Sequence, residues 1–223
     1  MLEKIIKRFK KSNPINPNTC DEQELYQLYG NCDVFNKNIS LIIISDTHGR
    51  LREEEFIDFL KNTSYDLCIM LGDHHDNDIQ IIKKHIDNTK LVGLLGNHDY
   101  NYLNNYNIPD INGKIVTVNG VTILGMQGSY KYKPVDFPSF TQEESILFLE
   151  NMPKVDILVS HDRKFDPNNQ MNNAHQGLKG ITRYIYKNKI PYHIHGHIHE
   201  DYEDTMINGT KEISVFGYRK IEL

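Results

Sequence analysis

The sequence predicts a layered α/β fold with mixed β-sheets, on three observations. Apolar runs rich in β-branched residues, Leu41-Ile42-Ile43-Ile44, Leu67-Cys68-Ile69-Met70-Leu71, Leu91-Val92-Gly93-Leu94-Leu95 and Val155-Asp156-Ile157-Leu158-Val159, read as strands buried on both faces. Helical patterns lie between them, and that βαβ rhythm builds parallel sheet. Two Asn-Gly dipeptides separate further strand-like segments, which adds antiparallel hairpins to the parallel units.

In chain order, Ile5, Ile6 and Phe9 recur at helical spacing among Lys4, Lys7, Arg8, Lys10 and Lys11. This reads as a short terminal helix packed on the domain, with a basic amphipathic helix for an anionic partner or membrane surface as the alternative. Asn13-Pro14-Ile15-Asn16-Pro17 breaks it. A second helix over 22–29 leads to the first strand, and residues 1–37 together form an N-terminal extension to a domain spanning 38–223. Helices follow over 53–62, 78–87, 141–150 and 177–187. In the middle, Lys114-Ile115-Val116-Thr117-Val118, Asn119-Gly120 and Val121-Thr122-Ile123-Leu124-Gly125 form a hairpin with a type I′ turn. Asn208-Gly209 separates strand-like residues near Met206-Ile207 from Glu212-Ile213-Ser214-Val215-Phe216.

At 223 residues, 39% hydrophobic and 25% charged, the chain is long enough for one sizeable core of ordinary globular composition. A net charge of −5 disfavours a broad nucleic-acid surface. Cys20, Cys32 and Cys68 are an odd number without metal spacing and read as reduced thiols. The charged start has no signal-peptide core, and no apolar stretch reaches the ~18 residues that a membrane span requires. The expectation is a soluble cytoplasmic protein with no transmembrane segment, and nothing in the sequence favours a monomer over a homodimer.

Five blocks carry the chemistry: Asp46-Thr47-His48, Gly72-Asp73, Gly96-Asn97-His98-Asp99, Ser160-His161 and Gly196-His197-Ile198-His199. Each follows a strand, and the ends of parallel strands are where open α/β sheets bind ligands. A single Asp or His there is ordinarily a cap or a turn residue; five blocks in order form a metal-ligating set.

At these residues, from about Asn38 to the C-terminus, the chain resembles the calcineurin-like metallophosphoesterase superfamily. Its signature is Asp-x-His, Gly-Asp-x-x-Asp, Gly-Asn-His-Asp/Glu, a lone His and Gly-His-x-His. The stretch from His175-Gln176-Gly177 to Glu200 is most similar to small stand-alone phosphodiesterase-like members. The resemblance implies the metallo-dependent phosphatase fold, a four-layer α/β/β/α sandwich with two mixed sheets. It implies that Asp46, His48, Asp73 and His199 hold one metal and Asp73, Asn97, His161 and His197 a second, with Asp73 bridging. Carboxylate, amide and imidazole donors without thiolate suit two divalent transition-metal ions, manganese first, with Fe, Zn, Co or Ni as alternatives. Two ions ~3.5–4 Å apart clamp a phosphoryl group and generate a bridging hydroxide for in-line attack.

The resemblance further implies that His98 is the general acid and that Asp76 orients it. Here the loop reads Gly72-Asp73-His74-His75-Asp76-Asn77-Asp78 and lacks the Arg-Gly of the phosphoprotein-phosphatase branch, which argues against that branch. His175 is placed beside the cleft as a substrate contact, and Arg50 is a candidate phosphate contact. His74 and His75 read as loop or substrate-facing residues, His193 and His195 as packed strand residues, His85 as exposed on a helix, and Arg163-Lys164 as solvated charge, with contact to phosphate or the rest of the substrate as the alternative. The implied function is hydrolysis of a phosphodiester or phosphomonoester, with a small phosphate ester as partner. A nuclease on short or single-stranded nucleic acid and a non-catalytic scaffold of the same fold are the alternatives.

Overall fold

The computed structural model describes residues 16, 18–134, 136–169 and 173–223. The basic N-terminal helix expected around Ile5, Ile6 and Phe9 lies outside them.

The elements run α1 (Glu22–Tyr29), β1 (Ser40–Ser45), α2 (Glu53–Lys61), β2 (Leu67–Met70), α3 (Asp76–His85), β3 (Leu91–Gly93), α4 (Tyr102–Asn105), β4 (Ile115–Val118), β5 (Val121–Met126), β6 (Ser129–Tyr130) and β7 (Ser139–Phe140). There follow α5 (Gln142–Glu150), β8 (Ile157–Ser160), α6 (Lys179–Asn188), β9 (Tyr192–His195), β10 (Tyr202–Thr205), β11 (Lys211–Ser214) and β12 (Gly217–Glu222). The two large sheets have the orders β12-β1-β2-β3 and β10-β11-β9-β8-β5-β4, and β6 and β7 form a separate parallel pair. Both large sheets are mixed. β1, β2 and β3 are parallel, with β12 antiparallel at the edge. In the second sheet β11, β9, β8 and β5 are parallel, and β10 and β4 close the two edges antiparallel.

The alternation of side chains along a strand turns these two sheets into four layers. Leu41 and Ile43 of β1 and Ile69 of β2 face Ile123, Ile157, Val159, Ile194 and Ile213 of the second sheet, so one core lies between the sheets. The alternate residues Ile42, Ile44, Cys68 and Met70 face outward onto Phe56 of α2 and Ile79 and Ile82 of α3. On the other side Leu124, Met126 and Leu158 pack against Leu149 of α5, Ile181 and Ile185 of α6, and Leu25 of α1. That is the α/β/β/α sandwich, and strands clothed on both faces explain why they read as continuous apolar runs.

The first hairpin has the expected turn, with Asn119 at φ 51° and Gly120 at φ 76°. The second departs from expectation. Its first strand ends at Thr205, ahead of Met206-Ile207, because the Met206 N–H donates to the Thr210 carbonyl and the Gly209 N–H to the Met206 carbonyl, folding 206–210 into a longer loop. Helix α3 starts two residues before the expected 78, and α6 starts at Lys179 because Gly177 takes φ 75° against the Lys164 carbonyl. In α5, Thr141 is the cap of a reciprocal box with Glu144.

Candidate metal centre

All five sequence blocks meet at the C-terminal ends of parallel strands: Asp46 to His48 after β1, Asp73 after β2, Asn97 to Asp99 after β3, His161 after β8, and His197 to His199 after β9. The local backbone is unusual. Among the described residues eight non-glycine residues have positive φ, and five of them are Asp46 (54°), His48 (46°), Asp73 (60°), His197 (69°) and His199 (55°). Such conformations persist only where the surroundings enforce them, and they cluster at functional sites. Glycines make the crowding possible. A Cβ on Gly96 would lie 2.1 Å from Asp73 Oδ1, and one on Gly196 would lie 2.4 Å from Asp46 Oδ2.

Two buried carboxylates do the holding, Asp78 in the first turn of α3 and Asp99 in the loop after β3. Asp78 is fully buried and accepts from the Thr47 hydroxyl at 2.6 Å, the Gly49 N–H at 2.6 Å and the Leu51 N–H at 3.1 Å. Asp99 accepts from the N–H groups of Asp73 (2.7 Å), His74 (3.1 Å) and Gly96 (2.7 Å). They fix the loops that carry Asp46, His48 and Asp73.

The candidate ligands form two trios whose donor atoms lie within 4.8 Å of one another: Asp46, His48 and His199, and Asp73, His161 and His197. In the first, His48 Nε2 is 3.0 Å from His199 Nε2, and His199 Nε2 is 3.5 Å from Asp46 Oδ1. In the second, His161 Nε2 is 3.6 Å from Asp73 Oδ2 and 2.9 Å from Asn97 Oδ1. Asp73 Oδ2 is also 3.9 Å from His48 Nε2, so this oxygen stands between the trios.

The donor set fits divalent ions. Asp46 Oδ1 and Asp73 Oδ2 are buried acceptors without a hydrogen-bond partner, a costly arrangement unless a cation satisfies them. Their second oxygens are engaged, Asp46 Oδ2 by the Ser45 hydroxyl (2.5 Å) and His197 N–H (2.8 Å), and Asp73 Oδ1 by His98 N–H (2.8 Å). His161 Nδ1 lies 2.9 Å from the Leu71 carbonyl and His197 Nε2 lies 2.8 Å from the Ala174 carbonyl. Donation to those carbonyls leaves the opposite ring nitrogen of each histidine as the candidate ligand atom, in His161 the Nε2 that lies beside Asp73 and Asn97, as in metal sites generally. Burial pushes the Asp46 carboxyl up, but the His199 and His161 rings, the Ser45 hydroxyl and the His197 N–H together hold it well below the usual carboxylate range. Burial pulls His197 well below the usual imidazole range, aided by the neighbouring His161, which keeps it neutral as a ligand must be.

His98 stands at the mouth. Its ring Nε2 is 4.0 Å from Asp73 Oδ2, and its side chain is 58% exposed. Asp76 is not brought to it. As the first residue of α3 it is exposed, and among the described residues the carboxylate paired with His98 is Asp73. The half-buried His175 packs edge-on against the His197 ring at 4.9 Å. Arg50 is exposed and lines a recess with Asp46, Phe216 and Tyr218, and Phe216 stacks on His199 at 5.1 Å. His74 is buried with Nδ1 2.8 Å from Thr47 Oγ1, and exposed His75 caps α3. His193 lies against Ser160 (2.8 Å) and His195 against Tyr202 (3.1 Å), in the β-sheet.

Two surface expectations are corrected. His85 is half-buried against Glu53 (2.7 Å), and Lys164 is no solvated charge but pairs with Glu22 of α1 at 2.6 Å. Sequence reasoning missed Asp78, Asp99, Tyr132 and Phe216. Only Asp99, as the last residue of the Gly-Asn-His-Asp block, carried a local signal.

The family model described as calcineurin-like phosphoesterase matches residues 39–201. No curated protein matches the chain. Among solved structures, a 5′-nucleotidase from Candida albicans is similar at 15% identity and TM-score 0.56, over 85% of this chain and 46% of that one. A putative 5′-nucleotidase from Staphylococcus aureus has 16% identity and TM-score 0.54, over 83% and 51%. The chain thus spans about half the length of either nucleotidase. A phosphopantetheinyl hydrolase from Mycobacterium tuberculosis has 13% identity and TM-score 0.50, over 84% and 97%. At these identities the structural likeness shows the fold.

Proposed function

We propose, from the premise that this chain belongs to the calcineurin-like phosphoesterase family, that it hydrolyses a small phosphodiester or phosphomonoester. Asp46, His48, Asp73 and His199 would hold one divalent ion and Asp73, Asn97, His161 and His197 the other. The observation that carries the reading is the orphaned Asp73 Oδ2, set between the two trios at 3.9 Å from His48 and 3.6 Å from His161.

When bound, such ions supply Lewis acidity, which makes water nucleophilic near neutral pH and offsets phosphoryl charge. The chain's own residues do the rest. The Asp73 carboxylate fixes the acid, because its Oδ1 takes the His98 N–H at 2.8 Å. As an oxygen from water bonds to phosphorus, the bond to the leaving oxygen breaks and its electron pair stays with that oxygen. The protonated His98 ring then delivers its proton to that oxygen, the proton of the attacking water passes to solvent, and the neutral ring is reprotonated from solvent. Phe216, stacked on His199, and Tyr132, whose hydroxyl accepts from Asn97 Nδ2 at 3.4 Å, hold two of the outer ligands in place. His175 and Arg50 border the site and would contact the substrate.

Among the described residues no helix is long and apolar enough to cross a membrane, and Cys20, Cys32 and Cys68 are free thiols, which suits a reducing cytoplasm. The test is a hydrolysis screen with Mn-loaded protein against bis-aryl phosphodiesters, aryl monoesters, cyclic nucleotides and oligonucleotides. Turnover of at least one that is lost with a chelator and in Asp73→Ala supports the reading; no turnover of any overturns it. Activity confined to oligonucleotides would select the nuclease alternative.

A further inference from the structure

We infer, resting on the phosphoesterase reading above, that the recess beside His98 is the leaving-group subsite and that it selects a nucleoside-like aromatic leaving group. The recess, about 540 Å³, is lined by Asn97, His98, Tyr100, Lys133, Asp136 and Phe137 among others, within the size range of small-molecule sites. It shares Asn97, His98 and Asp99 with the candidate centre, and His98 is the proton donor. A general acid must lie within hydrogen-bond reach of the oxygen it protonates, so the group departing on that oxygen lies on the His98 side of phosphorus, in this recess.

The wall chemistry then says what departs. Tyr100 directly follows the Gly-Asn-His-Asp block and is 91% exposed, an aromatic ring left open to solvent at the edge of the site. Phe137 packs on Tyr132 with ring centroids 5.2 Å apart, and Lys133 Nζ sits 5.0 Å above the Tyr132 ring and 5.2 Å above that of Phe137. Aromatic faces take flat rings by stacking and tolerate any base. Asp99 is spent on backbone N–H groups, so among the described lining residues Lys133 and Asp136 are, beside His98, the charged side chains that face a ligand. A donor and an acceptor lining one recess suit the edge of a neutral heterocycle, whereas a second phosphate would meet Asp136.

The start of this wall is anchored to the site, which lowers the cost of binding. The Gly128 N–H donates to the Leu95 carbonyl at 2.8 Å, and the Tyr132 hydroxyl accepts from Asn97. Gly128, at φ 68°, leaves no room for a side chain, since a Cβ would lie 2.4 Å from the Pro138 carbonyl oxygen. Gly128 and Tyr132, just ahead of Lys133, are therefore tied to the loop that bears Asn97 and His98.

The experiment compares adenosine 5′-phosphate with glycerol 3-phosphate on the Mn-loaded full chain, since both release a primary alkoxide and only one carries a base. Saturation-transfer NMR measures adenosine binding independently of turnover. The expected result is a kcat/KM ratio favouring the nucleotide. Tyr100→Ala and Phe137→Ala each lower that ratio about tenfold through KM, the scale of a lost base–aromatic stack, and Tyr100→Phe retains it. The adenosine signal weakens in parallel. Equal kcat/KM for the two esters, an unchanged ratio in both alanine variants, or no adenosine signal from a turning-over enzyme would overturn the subsite. An adenosine signal lost in Tyr100→Ala, with no ester hydrolysed, would sustain the subsite and fault the phosphoesterase reading instead.

Discussion

Replacing Asp78 by Asn tests whether the strand-end loops are organised by buried carboxylates. Asp78 Oδ2 accepts from the Thr47 hydroxyl at 2.6 Å, the Gly49 N–H at 2.6 Å and the His75 N–H at 3.4 Å, while Oδ1 accepts from the Leu51 N–H at 3.1 Å. Asparagine keeps one oxygen and turns an NH₂ towards the remaining donor. If the oxygen stays at the Oδ2 position, the Leu51 N–H loses its acceptor in a fully buried place, at a cost of ~1–3 kcal/mol. The remaining bonds lose the charge that roughly doubles their strength. We expect a total of about 3 kcal/mol, which for a chain of 223 residues corresponds to a drop in Tm of about 6–12 °C. Calorimetry on metal-free protein reads this directly. Asp76→Asn, two residues earlier but exposed and unpaired, is the control and should move Tm by less than about 2 °C. Equal Tm values for the two variants would refute the reasoning.

Three further outcomes follow from the same geometry. His98→Ala should keep both metals and lose on the order of 10²–10⁴ in rate for an alkyl or ribose leaving group; the loss should shrink for nitrophenyl esters, whose leaving anion needs no proton. Gly96→Ala places a Cβ 2.1 Å from Asp73 Oδ1 and 2.7 Å from Asp73 N, so it should lower metal stoichiometry, measured by elemental analysis, and abolish turnover together. Burial raises Glu212, but the contact from His195 and the charges of His195 and Lys164 outweigh it and leave its carboxyl at about 2, below the ordinary ~4.3. A depressed carboxylate contributes stability above its unfolded pKa and loses it as pH falls through the folded one. Urea unfolding of Glu212→Gln should therefore decline less than wild type between about pH 4.5 and 2.

Much of this was legible because the signals were local. Strands buried on both faces need apolar residues at every position, and the Asn119-Gly120 turn needs two residues that tolerate positive φ; both requirements are written in adjacent positions. The ligand candidates were legible for a related reason, since only Asp, Asn and His carry the donors and each falls at a strand end. What escaped depended on distant contacts. β12 was missed because Gly217 to Glu222 form a half-exposed edge strand with a polar pattern. Asp78 serves by accepting N–H groups from a loop about thirty residues away, and Phe216 reaches His199 from another strand end. Asp76 was drawn into the site by a motif whose second carboxylate, in this chain, opens a helix and faces solvent. The pairing of Lys164 with Glu22 could not be read either, since the partners are 142 positions apart.

The most direct measurement is anomalous scattering from crystals of the protein loaded with manganese. The account requires two peaks, one against Asp46, His48 and His199 and one against Asn97, His161 and His197, with Asp73 Oδ2 contacting both. A single peak that leaves Asp73 Oδ2 unshared, or manganese bound away from these side chains, would contradict it.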